Sequence, residues 1–192
     1  SSSPTLTHVT FTGNTATGGG GGMSLYASSP TLKNCILAYN QAGTRGGNLY
    51  RYTNESTPGT ITAQNSLIYN PSGWKVDNIT PSGSYLTVEP KFLDYADRNT
   101  GASCSPGSST TCVPADLHPA LGSPLINAGD PAAQDVDGSR ADIGSYGGEG
   151  GDQWDVDGDE VPDYFWPGER SDAPAGFDPS DYDLDDLDAT VQ

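Results

Sequence analysis

Large apolar side chains are scarce in this chain. Leu, Ile, Val and Phe together number 31 of 192 residues, below the roughly 20% under which a highly charged chain is expected to stay disordered. Basic residues are scarcer still, with 8 Lys plus Arg against 25 Asp plus Glu. There is one Met, there are three Cys, and no apolar run approaches the roughly 18 residues of a membrane-spanning helix. These shortages exclude a helical bundle and argue against a layered domain around a large aliphatic core. What abounds is Gly and Pro, 25 and 15 residues, which punctuate regular structure.

The charge is unevenly placed. Residues 1–130 carry seven acids and six bases, a net of −1, whereas residues 131–192 carry 18 acids and only Arg140 and Arg170, a net of −16. Asp outnumbers Glu 20 to 5. A solvated helical face favours Glu, whereas the shorter Asp suits turns and metal loops. So acidic a surface repels nucleic acid and anionic headgroups. We therefore expect no nucleic-acid partner and no membrane insertion.

Cys35 lies in an alternating apolar stretch and reads as a buried small hydrophobe. Cys104 and Cys112 bracket a run of Ser, Pro, Gly and Thr. A disulfide pinning that loop is expected, and with it an oxidising compartment. A metal-site reading would need further ligands nearby, and the sequence offers none.

Internal repetition is the main signal for fold. Ser2-Ser3-Pro4-Thr5-Leu6 returns as Ser28-Ser29-Pro30-Thr31-Leu32, and Val9 to Asn14 aligns with Cys35 to Asn40 at the same offset. A looser third copy is Asn65-Ser66-Leu67-Ile68-Tyr69-Asn70. Each unit holds short strands of period-two alternation between Gly, Asn and Ser-Pro turns. The pattern of leucine-rich repeats is missing. What remains is a solenoid in which each coil lies on the one below. Phe11, Leu37 and Leu67 are expected to stack in a narrow core, and Asn14, Asn40 and Asn70 to form an amide ladder.

This pattern, followed by a Gly-rich turn, resembles bacterial right-handed parallel β-helix repeat proteins of the pectate-lyase-like superfamily, over residues 1–70. The resemblance implies an all-β fold with β-helix coils over residues 1–85. Further on come Glu89-Pro90-Lys91-Phe92, Asp116-Leu117-His118, Gly122-Ser123-Pro124-Leu125-Ile126-Asn127-Ala128-Gly129-Asp130, Asp135-Val136-Asp137-Gly138-Ser139-Arg140 and Asp142-Ile143-Gly144. This order resembles the closing segment of surface β-helix proteins that carry a choice-of-anchor domain. It implies a cap over residues 86–148 that covers the exposed end of the last coil. Glu89 and Asn127 stand where that pattern has Asp, and Ser145-Tyr146 departs from its final motif. His118 and His8 read as packing or hydrogen-bonding residues.

The acidic tail, residues 149–192, holds the strongest chemical motif. Asp155, Asp157, Asp159 and Asp163 are spaced so that their carboxylates converge on one hard cation when the backbone turns tightly, with the Val161 carbonyl as a further ligand. The spacing resembles the calcium loops of thrombospondin type 3 repeats and the first half of an EF-hand or dockerin loop. Glu160 replaces the usual Gly, and Trp166 stands where an EF-hand has its bidentate Glu. Calcium is the expected cofactor. Asp135, Asp137 and Asp142 form a candidate second metal site, or else an ion-paired cluster with Arg140. The final acids, Asp178 to Asp188, read as a disordered run or an incomplete further calcium repeat.

No catalytic residue is assigned. Lyases on the resembled fold need a basic group beside a bound uronate, and hydrolases need paired carboxylates on neighbouring coils. Here Lys33, Arg45, Arg51 and Lys75 face no carboxylate cluster, and Glu55 and Asp77 stand alone. The expected function is a secreted or cell-surface segment for structure, adhesion or assembly, stabilised by calcium. Expected partners are a polysaccharide, another surface protein, or a neighbouring β-helix coil stacked at the N-terminal end, because the chain opens inside a repeat. The alternatives are the C-terminal part of a polysaccharide lyase or glycoside hydrolase, and a dockerin-like protein-binding module.

Overall fold

The computed structural model describes residues 2–52, 59–71, 76–97, 112–120, 122–135 and 138–149. Among these there are strands and no helix. The first repeat supplies β1 (Thr5–Thr7), β2 (Thr10–Thr12), β3 (Thr15–Ala16) and β4 (Met23–Leu25). The second supplies β5 (Thr31–Lys33), β6 (Ile36–Ala38), β7 (Gln41–Ala42) and β8 (Leu49–Arg51). The third supplies β9 (Thr62–Gln64), β10 (Ser66–Tyr69) and β11 (Val76–Asp77), and β12 (Tyr85–Leu86) follows.

Like pairs with like. The sheets run β1-β5-β9, β2-β6-β10-β12, β4-β8-β11 and β3-β7, and every pairing in them is parallel. Leu6 faces Leu32, Phe11 faces Leu37 and Met23 faces Leu49, each 26 residues apart. Parallel strands need a long connection. Here the rest of each repeat supplies it, so a strand of only three residues finds both of its neighbours. One further pair, β13 (Phe92–Asp97) and β14 (Cys112–Pro119), is antiparallel.

A single left-handed residue turns the chain between the first two strands of each repeat. It is His8 (φ 53°), then Asn34 (φ 50°), then Asn65 (φ 44°). Asn tolerates this region better than most residues, which explains its recurrence. Of the expected amide ladder, the step from Asn14 to Asn40 joins side chains, and Asn70 reaches the Asn40 main chain. The Asn14 main-chain and side-chain N–H groups donate to Asn40 Oδ1 at 3.0 Å. The Asn40 amide in turn donates to the Phe11 carbonyl (2.8 Å) and to Asn48 Oδ1 (2.9 Å), and Asn70 donates to the Asn40 carbonyl at 2.7 Å. Asn40, Asn48 and Asn70 are buried, so these bonds satisfy groups that would otherwise be costly to bury.

The expected stacking needs one correction. Leu37 pairs with Ile68, and Leu67 pairs with Ile36. The third repeat is thus shifted one residue from the expected alignment, and Leu67 lies on the opposite face. Leu37 and Ile68 join Leu25, Leu32, Cys35, Leu49 and Ile61 in an inner cluster. Leu67 and Ile36 join Phe92, Leu125 and Ile143 in a second one. The middle sheet is buried on both faces, so alternation no longer tells inside from outside.

The second cluster forms where Phe92, Leu125 and Ile143 of the closing segment pack on this sheet. The residues that follow reach the second and first repeats: Gly144 N–H donates to the Asn34 carbonyl at 2.9 Å, and Ser145 N–H to Thr10 Oγ1 at 3.1 Å. Gly144 (φ 117°) is required here, because a Cβ would sit 2.5 Å from Ile36 Cδ1. The closing segment therefore lies along the flank of the repeats and does more than cover the last one.

Cys35 is buried and free. Its thiol donates to the Lys33 carbonyl at 3.1 Å, and burial pushes it up from the ordinary thiol range against weaker lowering by backbone hydrogen bonds. Such a thiol stays protonated when folded while its unfolded counterpart ionises, so folding stability falls as pH rises above about 8.5. We expect Cys35→Ala to flatten that alkaline slope in denaturant titrations, and an alkylating reagent to label Cys35 only on unfolding. Leu37 is fully buried, so Leu37→Ala should destabilise by about 2–5 kcal/mol. Leu37→Asp should abolish strand-type circular dichroism in soluble protein, since it buries an unpaired charge.

Candidate functional site

The calcium-loop residues Asp155, Asp157, Asp159, Val161 and Asp163 lie outside the described residues, as do Asp137 and Cys104. The expected bond between Cys104 and Cys112 falls there too.

Asp135 and Asp142 are described, and both carboxylates hold the main chain. Asp142 is buried, and its Oδ1 accepts the Asn127 N–H at 2.6 Å. Asp135 Oδ2 accepts the Asp142 N–H at 2.8 Å, and its Oδ1 accepts the Gly148 N–H. Arg140 donates from Nε to the Gly129 carbonyl at 2.9 Å and from Nη2 to the Ala128 carbonyl at 3.3 Å. This part of the acidic motif closes the segment on itself. Among the described residues no three His, Cys, Asp or Glu side chains are grouped to hold a metal ion.

The departures from the resembled pattern have local reasons. Asn127 is left-handed (φ 52°), a conformation Asn accepts readily. Glu89 accepts a hydrogen bond from the Tyr39 hydroxyl at 3.2 Å. Burial pushes the neighbouring Tyr69 phenol up, and the Glu89 charge adds to the effect. His118 stacks on Tyr146 at 3.8 Å, which fits its packing role.

Two other features stand out on β8 and its neighbours. Arg51 is in register with Leu25, a member of the inner cluster, so the repeat places a guanidinium where its predecessor has an apolar side chain. Nη1 donates to the Gly59 carbonyl at 3.0 Å, while Nε is buried without a hydrogen-bond partner among the described residues. Arg51, Thr60, Asn78, Ile79 and Thr80 line an open cleft of about 400 Å³. Hydroxyl, amide and guanidinium groups around such a cleft suit a polar, oxygen-rich ligand.

The second feature is a row of tyrosines. Tyr26 is 68% exposed and Tyr52 43% exposed. Their rings meet edge to face at 6.0 Å, and Tyr50 meets Tyr52 at 5.0 Å. Close by in register, Arg45 pairs with Asp77 at 3.7 Å, Asp77 lying beside Tyr50. Sequence reasoning passed over this row, although Tyr26 and Tyr52 carry the same 26-residue offset as the core. Exposed aromatic rings held together offer apolar faces and edges with polar tips.

No family model, no curated protein and no solved structure matches the chain.

If Asp142 holds the closing segment as described, Asp142→Ala should destabilise the protein by about 1–3 kcal/mol, the range for a buried backbone donor left unsatisfied. Asp142→Asn, which keeps an acceptor oxygen, should lose less. Denaturant melts of the two variants check the order.

Proposed function

We propose that the repeats form a right-handed parallel β-helix serving as a non-catalytic scaffold at the cell surface or in secretion, with adhesion to polysaccharide as its task. The observation that carries the reading is the tyrosine row, exposed on an outer sheet whose inner side is filled by Met23, Leu25 and Leu49. The parallel, in-register stacking supports the scaffold, because it fixes the spacing of outward side chains from one repeat to the next. The apolar face of a sugar ring packs on such tyrosines, and the groups around Arg51 suit its oxygens.

The loop from Asp155 to Asp163 binds calcium in this proposal, on the support of its carboxylate spacing and of the acidic tail around it. Sixteen net negative charges repel one another, and a divalent cation bound only by the folded form stabilises it by linkage.

Two experiments test the proposal. Depletion of the protein by insoluble polysaccharides should fall roughly tenfold in Tyr26→Ala/Tyr52→Ala, the worth of about 1.4 kcal/mol, with melting unchanged. Equal depletion by both proteins would remove the adhesion reading. Release of unsaturated sugar from uronate polymers would favour the lyase alternative. For the loop, limited proteolysis near Asp157 should be slower with calcium than with chelator, and Asp157→Ala should erase the difference.

A further inference from the structure

We infer that His8 is an acid-sensitive latch between the first repeat and the closing segment. The observation is a chain of three hydrogen bonds whose protons are fixed from both ends. At one end the Asp130 main-chain N–H donates to Asn34 Oδ1 at 2.7 Å. A main-chain nitrogen only donates, so the Asn34 atom facing it is the carbonyl oxygen, and the other atom is the NH₂ group. That group lies 2.9 Å from His8 Nε2, which must therefore accept. At the other end His8 Nδ1 lies 3.3 Å from the Gly144 carbonyl oxygen, which only accepts. This pattern places the imidazole proton on Nδ1 and leaves Nε2 as acceptor.

Nothing in this chain can be reversed singly. Turning the Asn34 amide over would set NH₂ against the Asp130 N–H. The histidine ring rests against Gly148, where a Cβ would lie 2.9 Å from Nε2. A second proton on the imidazole goes to Nε2 and points at the Asn34 NH₂ group, so two donors face each other. Either the His8–Asn34 or the Asn34–Asp130 bond must then break. The second outcome frees the Asp130 N–H, and the first parts His8, which holds the Gly144 carbonyl, from Asn34, which holds the Gly144 N–H.

The surrounding charges do not supply a replacement. Lys33 ends β5 immediately before Asn34. On the closing segment, Asp130 Oδ1 accepts the Ala132 N–H at 3.0 Å. The Asp135 and Asp142 carboxylates hold main-chain N–H groups, Arg140 holds carbonyls, and Glu149 follows Gly148. Among the described residues no carboxylate lies within ion-pair distance of His8. Asn34 and Asn65 occupy the equivalent left-handed corner in the later repeats, so the backbone does not require histidine at position 8.

The test uses the whole chain. Long-range ¹H–¹⁵N spectra of the imidazole near neutral pH should show the proton on Nδ1. On acidification from about pH 7.5 to about pH 5.5, the interval that brackets imidazole titration, hydrogen-exchange protection of the Asp130 and Gly144 amides should fall about three- to tenfold, the worth of one hydrogen bond. His8→Asn, which suits the corner and does not titrate, should show no such fall over the same range. A proton on Nε2 near neutral pH would overturn the inference even if His8→Asn failed to fold. An equal loss of protection in both proteins would overturn it too, by assigning the response to carboxylates.

Discussion

The parallel backbone ladder between repeats is the constraint on which everything else here depends. It sets Leu32 on Leu6, Leu37 on Phe11 and Leu49 on Met23. Those contacts give a chain poor in aliphatic residues enough buried surface to fold. No single strand of three residues would hold by itself. Each is held because the corresponding strand one repeat away pairs with it in parallel register. The left-handed corners at His8, Asn34 and Asn65 and the Asn40–Asn48–Asn70 network keep the repeats in step. They do so by giving the backbone groups of the turns partners inside the protein.

Part of this was legible because a repeat writes its own alignment. The offset between Ser2-Ser3-Pro4-Thr5-Leu6 and its second copy is the register of β1 on β5, read directly. The step from Asn14 to Asn40 followed from the same alignment. The third copy was misread by one residue, and the reason is physical. Ile36 and Leu37 are both buried, one beneath the closing segment and the other inside, so Leu67 by itself suits either place, and the expected alignment differs in setting Ser66 where Ile36 lies. Only three-dimensional pairing decides between them. The closing segment was visible as a motif order, but its course was not. Its contacts at residues 8, 10 and 34 span roughly 100 residues or more of sequence and depend on one glycine, Gly144, having no side chain.

The site residues divide in the same way. Asp135 and Asp142 were identifiable as a carboxylate cluster, and spacing alone suits a metal, an ion pair or a backbone clasp equally. Their use as main-chain acceptors depends on which N–H groups the fold brings to them. Arg51 looked like one base among several. Its position on the inner row, opposite Leu25, is what sets it apart. The tyrosine row was carried by the repeat offset, yet exposed aromatics leave no signature until the sheet shows which way they face.

The register of the middle sheet is the claim on which the account rests most heavily, and methyl NMR reads it directly. Cross-peaks should join the Leu37 methyls to the Phe11 ring and to Ile68, and the Leu67 methyls to Leu125 and Ile143. Cross-peaks joining Leu37, Leu67 and Phe11 as one set, with Ile68 against Ile143, would place the third repeat in the other register and contradict the stacking described here.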